Sequence, residues 1–323
     1  MTAQSLSDIE LRRLIEGSLE ESRGAPVSVS LIERHVFDRA TSYALELLRV
    51  HIGNAESVEV VVKDFGTSRL PKDDPKRRAE REAAVYRELL TGSEVGTARL
   101  YGVLRHPVRL VLEHVDGTNL KYHDLETWIE AASWLGGFQA GMENRSEQVH
   151  RCRSLIRHDR AFFIGRVRAA RTAIQTFGRD AANRLGALLD GYGRLIEMMV
   201  DQPETLVHGS FRPQNIIVSK VGNAPVRICP VDWELAGLGS PLYDLAFLAE
   251  GFHGPDLDRL FAAYFRGRGH PERVSRQELE FTVDCFRLHK VVKSVGDSQI
   301  LAFRPATIEK LLTMGTELRE RLG

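Results

Sequence analysis

Residues 206–248 read LVHGSFRPQNIIVSKVGNAPVRICPVDWELAGLGSPLYDLAFL. Two apolar, strand-like runs stand out, 215–218 and 226–231. His208, Arg212 and Asn215 sit just before or at the start of the first; Asp232 and Glu234 follow the second directly. Two short strands joined by a tight turn, with Gly222 and Asn223 in the spacer, bring Asn215 and Asp232 close together. An amide oxygen and a carboxylate oxygen are hard ligands of the kind Mg²⁺ accepts while keeping its other positions for water and phosphate.

The order of these residues resembles the signature of the aminoglycoside phosphotransferase and choline kinase group, small-molecule kinases of the protein-kinase-like fold. The group's pattern is H-G-D-x-x-x-x-N, then D-x-E or D-x-D. Here the chain has His208-Gly209-Ser210-Phe211-Arg212-Pro213-Gln214-Asn215, then Asp232-Trp233-Glu234. The one departure is Ser210, where the group has its catalytic Asp. The resemblance spans roughly residues 27–300 and is most specific at 206–248. It implies an α+β, bilobal fold: a small antiparallel-sheet N-terminal lobe over 1–112, a hinge over 113–118, and a larger, mainly helical C-terminal lobe over 119–323 that carries the catalytic loop and metal site.

The chain of 323 residues is long enough for one large or two modest domains. Its 44 basic and 44 acidic residues balance, so no global charge draws it to nucleic acid or to a membrane. The three cysteines are far apart with no CxxC pair, which argues against a disulfide framework or structural zinc and fits a reducing, cytoplasmic compartment. No apolar run approaches the length of a membrane span. The first ten residues lack a basic-then-apolar leader pattern.

Residues 7–21 have helical periodicity behind a Ser7/Glu10 capping pattern, ended by Gly24 and Pro26. Strand-like runs at 27–37, 42–52 and 58–65 form a meander with turns at 39–41 and 53–54. A helix is expected over 76–90, and two more strands near 98–104 and 109–114. Further helices are expected over 124–142, 180–200, 257–265, 277–292 and 306–321.

Within this frame the resemblance assigns roles. Lys63, on the third strand, binds nucleotide phosphates and is held by a helix glutamate, Glu82, with Glu80 as its rival. Backbone groups of Glu113, His114 and Val115 meet the adenine edge. Asn215 and Asp232 hold Mg²⁺, and Arg212 neutralises charge on the transferred group. No glycine-rich loop lies between the first two strands, so phosphate contact there falls to backbone N–H groups, with Thr41 or Ser42. His208 and Asp244 tie the loop to the lobe below. The cofactors implied are ATP and Mg²⁺, and the partner is a small-molecule acceptor.

Ser210 leaves the function open. A neutral serine cannot take a proton from a substrate hydroxyl near neutral pH, and general-base catalysis contributes about 10²–10⁴-fold. One reading is a kinase with a different base, Glu234 first, with His208, His114 or His158 as others, or an acceptor that needs no deprotonation. The arginines spread over 145–171 read first as a solvated face; they are compatible with an anionic acceptor and argue against an aminoglycoside. A second reading is a nucleotide-binding pseudokinase, a sensor or binding module. A third is nucleotidyl transfer on the same scaffold.

Overall fold

A computed structural model of the chain describes residues 7–35, 37, 42–53, 56–91, 96–105, 107–220, 225–269 and 275–323. They fall into two compact units, Met1–Thr118 with Ile217–Glu234, and Asn119–Ile216 with Leu235–Gly323.

The first unit is built on an antiparallel sheet. Helix α1 (Asp8–Arg23) is capped by Ser7, whose side chain accepts the Glu10 N–H, and ends at Gly24 in the left-handed region. Strands β1 (Val29–His35), β2 (Tyr43–Ile52) and β3 (Glu56–Ser68) follow. Next come α2 (Pro75–Ala84), β4 (Leu100–Arg105) and β5 (Val108–Glu113), and the sheet order is β1-β2-β3-β5-β4. Leu11, Ile15 and Leu19, spaced four apart, lay one face of α1 on Val50, Val60, Val62 and Val111. Alternation along β3 sends Val60 and Val62 into this core and therefore turns Lys63 to the opposite face. Continuing from α2, residues Val85–Leu90 wind as a π-helix, so the single helix expected over 76–90 changes its hydrogen-bond pattern at Val85.

Strands Ile216–Ser219 and Arg227–Pro230 pair with each other. The turn expected at Gly222 and Asn223, and those at 39–41 and Asn54, lie outside the described residues. From sequence, everything after residue 118 is expected in one lobe. Instead Ile217–Glu234 groups with the sheet. The reason is ionic: the Arg227 guanidinium grips the Glu113 carboxylate at 2.5 and 2.8 Å and the Gly96 and Thr97 carbonyls at 2.9 Å.

The second unit is mostly helical. Helices α3 (Leu125–Glu143), α4 (Ser146–Arg151), α5 (Arg160–Ala173), α6 (Arg179–Leu188) and α7 (Tyr192–Val200) precede the 208–215 loop. Helices α8 (Leu242–Leu248), α9 (Gly254–Arg268), α10 (Arg276–Gly296) and α11 (Pro305–Leu322) follow it. Helix α10 is the central piece, packed by α5, α7, α8 and α11, with Val283, Leu288, Val292 and Val295 fully buried. One expectation is corrected: residues 180–200 are two helices, the first ending at Leu188 and the second entered through Gly191 at φ 64°. Residues 242–248, too short and too uniformly apolar to show a period, form a buried helix for which the sequence offers no reading. Short strands Ile156–Arg157, Gly237–Gly239 and Thr205–Val207 form a small sheet beneath the loop.

Candidate active site

In the first unit, the Lys63 ammonium lies 2.7 and 3.0 Å from the two Glu82 carboxylate oxygens and 2.5 Å from Asp232 Oδ1. Glu82 is completely buried. Burial pushes its carboxyl up to about 7, opposed by the Lys63 charge. Burial pulls Lys63 down, but the Asp232 and Glu82 carboxylates outweigh it, and the ammonium is held protonated. Glu80 is half-exposed and pairs with Lys76 at 4.0 Å on the same helix, so the lysine's partner is Glu82. Asp232 takes φ 70°, a left-handed conformation that Asp tolerates better than most residues. Its side chain is about a third exposed, leaving carboxylate surface beyond the contact with Lys63.

Glu234, the leading alternative base, is differently placed. Its carboxylate is buried and receives the Tyr43 hydroxyl at 2.7 Å, the Lys72 ammonium at 2.7 Å and the Arg78 guanidinium at 2.8 Å. Arg81 binds its carbonyl at 2.5 Å. Two cations and a hydroxyl on one buried carboxylate occupy its lone pairs, so this geometry fits a structural anchor and not an open base. Tyr43, Lys72, Arg78 and Arg81 were not singled out from sequence. Lys72 precedes the helix that carries Glu82, and Arg78 and Arg81 lie on it; their local spacing gives no sign of a partner as far along the chain as Glu234.

At the strand end, the Glu113 N–H donates to the Arg99 carbonyl at 2.8 Å and the His114 N–H to the Glu59 carbonyl at 3.0 Å. Both of these donors are thus spent within the sheet, and the His114 ring sits 2.9 Å from Glu59. Val115 is buried next to them. Thr41 lies outside the described residues; the Ser42 carbonyl accepts from the Arg69 N–H at 2.8 Å.

In the second unit, the 208–215 loop is pinned from below. The fully buried Asp244 carboxylate accepts the His208 N–H at 2.6 Å and the Gly209 N–H at 3.0 Å. Burial pushes Asp244 up to about 7, with these two hydrogen bonds pulling the other way. Gly209 has φ 77°, and a Cβ there would sit 2.0 Å from the Leu235 carbonyl oxygen, so only glycine fits. The Asn215 amide nitrogen donates to the Ser210 carbonyl at 3.1 Å and lies 3.3 Å from its hydroxyl, which leaves the amide oxygen as the free end. His208 and His158 are both buried; His158 packs against the Phe162 and Tyr243 rings at 4.4 and 4.5 Å. Neither presents an open base. Of the arginines of 145–171, Arg151 pairs with Glu147 and Arg160 with Glu197 at the surface; Arg166, less exposed, reaches Asp297 at 3.7 Å.

Among the described residues no group of three or more His, Cys, Asp or Glu side chains is arranged to hold a metal by itself. Mg²⁺ beside phosphates ordinarily completes its coordination with nucleotide oxygens and water, so one protein carboxylate such as Asp232 is compatible with it.

An antiparallel-sheet unit bearing a Lys–Glu–Asp constellation and a helical unit bearing an H-G-x-x-x-x-x-N loop define a protein-kinase-like phosphotransferase fold. A family model described as "Phosphotransferase enzyme family" matches residues 46–279, and the chain belongs to that family. Similar solved structures include a macrolide 2′-phosphotransferase from Brachybacterium faecium (16% identity, 92% of this chain and 96% of that one, TM-score 0.58). A Plasmodium vivax ethanolamine kinase is also similar (13%, 90% and 83%, 0.60). So is a GDP complex of a mutant aminoglycoside 2′-phosphotransferase (13%, 98% and 97%, 0.61). At these identities the likeness is one of fold. No curated protein sequence matches the chain. No described helix is long and apolar enough to cross a membrane.

Proposed function

We propose that this chain is an ATP-dependent phosphotransferase that moves the γ-phosphate to a small-molecule acceptor without the usual loop carboxylate. The observation that carries the reading is the single Lys63 ammonium held by both Glu82 and Asp232. A buried lysine fixed by a helix glutamate is the part that grips nucleotide phosphates in kinase-like enzymes, and Asp232 is the part that takes the metal. Asp232 and the Asn215 amide oxygen would hold Mg²⁺, which would supply charge neutralisation on the phosphates. Because the Glu113 and His114 N–H groups are committed, the Val115 N–H is the donor we assign to the adenine edge. The GDP held by a structural relative supports nucleotide use.

Thermal unfolding with ATP, GTP or ADP, each with and without Mg²⁺, tests this. A ligand at about 100 times its Kd adds roughly 2.7 kcal/mol of stability. Wild type is expected to gain from ATP with Mg²⁺, and Asp232→Asn to lose the metal dependence. If no nucleotide shifts the curve, the reading fails.

One observation favours a second reading. Among the described residues the Ser210 hydroxyl is met only by the Asn215 amide, and Glu234 is sequestered. A nucleotide-binding module without turnover would bind ATP with Mg²⁺ equally well, yet release no ADP with any acceptor; acceptor-dependent ADP release excludes it.

A further inference from the structure

Beside Ser210, the second unit gathers more positive charge than the single Arg212 that the resemblance assigns to the transferred phosphate. The Arg212 guanidinium stands two residues along the loop and lies 5.3 Å from the centre of the Phe247 ring on α8. The Lys290 ammonium of α10 lies 4.8 Å from the same ring. One turn on, Lys293 pairs with Asp297 at 2.7 Å, and Asp297 is shared with Arg166 of α5 at 3.7 Å. Lys290 has Glu250 as its carboxylate. Arg212 has none: among the described residues no carboxylate lies within ion-pairing distance, and its Nε is buried with no hydrogen-bond partner. Three cations from a loop and a central helix thus face two carboxylates, one of them shared.

Excess positive charge in a half-buried place is costly. A cation lacking a partner in such surroundings forfeits hydration without recovering it, and the Phe247 face returns only part of that loss. The strain registers on the neighbours. Burial lowers Lys290 to about 8 despite Glu250, with the charges of Arg212 and Arg287 adding to the effect. Burial also lowers Lys293 despite Asp297, with Arg166 and Arg212 contributing. His289, wholly buried and next to Lys290 in sequence, is kept neutral by burial and adds no charge. A ligand oxyanion would relieve all three cations at once, and a planar guanidinium with two ammoniums suits a carboxylate or phosphate group.

We propose that Arg212, Lys290 and Lys293 form an oxyanion subsite, and that the acceptor's own carboxylate or phosphate oxygen is the nucleophile. This rests on the phosphotransferase reading above, and it accounts for Ser210. An acceptor oxygen that is already anionic attacks the γ-phosphorus with its own electron pair. The bond from phosphorus to the bridging oxygen breaks, its electron pair stays with ADP, and no proton moves. The product is an acyl phosphate or a phosphoanhydride. A carboxylate at position 210 would be both unnecessary and repulsive to such an acceptor.

The subsite is tested first without nucleotide. Full-length protein is titrated calorimetrically with sodium phosphate, and separately with choline chloride and with glycerol, at one ionic strength. Phosphate is expected to bind and the other two to be silent. Lys293→Met should weaken phosphate about 10-fold, the loss of one charge-assisted contact. Asp297→Asn, which frees Lys293 and Arg166 from a competing carboxylate, should tighten it about 3-fold or more, a gain that misfolding cannot imitate. Choline binding with phosphate silent, or phosphate affinity unchanged in both variants, overturns the subsite. The transfer step is then tested with ATP, Mg²⁺ and succinate, hydroxylamine trapping any acyl phosphate as a hydroxamate, and phosphate in a parallel arm; product in neither arm overturns the step. If ATP with Mg²⁺ stabilises the protein while phosphate binding ignores Lys293 and Asp297, this inference fails and the phosphotransferase reading stands. If phosphate binds as expected and no nucleotide does, the reverse holds for the subsite and the transfer.

Discussion

Ser210 separates two chemistries, and one substitution reads which is present. Against a hydroxyl acceptor, Ser210→Asp supplies the missing base and should raise kcat by about 10²–10⁴-fold. Against an acceptor that arrives as an oxyanion, it places a negative charge beside Arg212 and should lower kcat/KM, by about 10-fold for one opposed charge in a partly buried site. We expect the loss, measured by ADP release with carboxylate acceptors. Asp244 carries a pH signature of its own. Burial raises its folded pKa to about 7 from an ordinary 3.8, so the folded state takes up a proton between those values. Its contribution to stability is therefore full below about pH 4 and is lost as pH rises through 7. In Asp244→Asn this dependence disappears: relative to the variant, wild type should lose up to about 1.4 kcal/mol per pH unit across that window. Urea unfolding at pH 4.5, 6 and 8 checks it. The variant should also be less stable overall, by about 1–3 kcal/mol, because its NH₂ must face one of the two N–H groups that Asp244 now accepts.

Helix α10 was legible in the sequence as a packed, periodic segment, and that is why its cations were passed over. Arg287, Lys290 and Lys293 recur every third residue along α10, which places them along one stripe. That spacing was the available signal; what it lacked was the depth at which the stripe lies. Lys63 and Glu82 were found because strand, helix and chain order together fix a partner, whereas the Lys72–Arg78 grip on Glu234 depends on a tertiary approach that no local period encodes. The start of α10 gives a test of how its register is held. Ser275 and Glu278 form a reciprocal cap, the Ser275 side chain accepting the Glu278 N–H at 3.2 Å and Glu278 accepting the Ser275 N–H at 2.8 Å. Ser275→Ala should cost about 0.5–2 kcal/mol in urea unfolding, and phosphate affinity should be unchanged because the cations lie several turns away. The turn from α6 into α7 passes through Gly191 in the left-handed region. Gly191→Ala forces a Cβ into the left-handed region at a cost of about 1–2 kcal/mol.

The fold class and its two kinds of unit follow from the pattern of strands before residue 118 and helices after it, but the units are not consecutive pieces of chain. Ile217–Glu234 returns to the sheet, and what it returns is charge. Without it, Lys63 loses Asp232, Lys72 and Arg78 lose Glu234, and Glu113 loses Arg227. Removing one partner of a buried pair costs about 3–5 kcal/mol, and a whole domain has only about 5–15 kcal/mol to lose. A fragment of residues 1–118, which a boundary drawn from sequence alone would recommend, should therefore fail to fold cooperatively even though it keeps the complete five-stranded sheet and the α1 core. Its near-ultraviolet circular dichroism should be weak, and its urea transition broad or absent. Joining residues 217–234 to its end through a flexible linker should restore a cooperative transition, and Asp232→Asn with Glu234→Gln in that fusion should abolish it again. A fragment of 1–118 that unfolds as sharply as the fusion would mean that the apolar core suffices and that these ion pairs serve only the nucleotide.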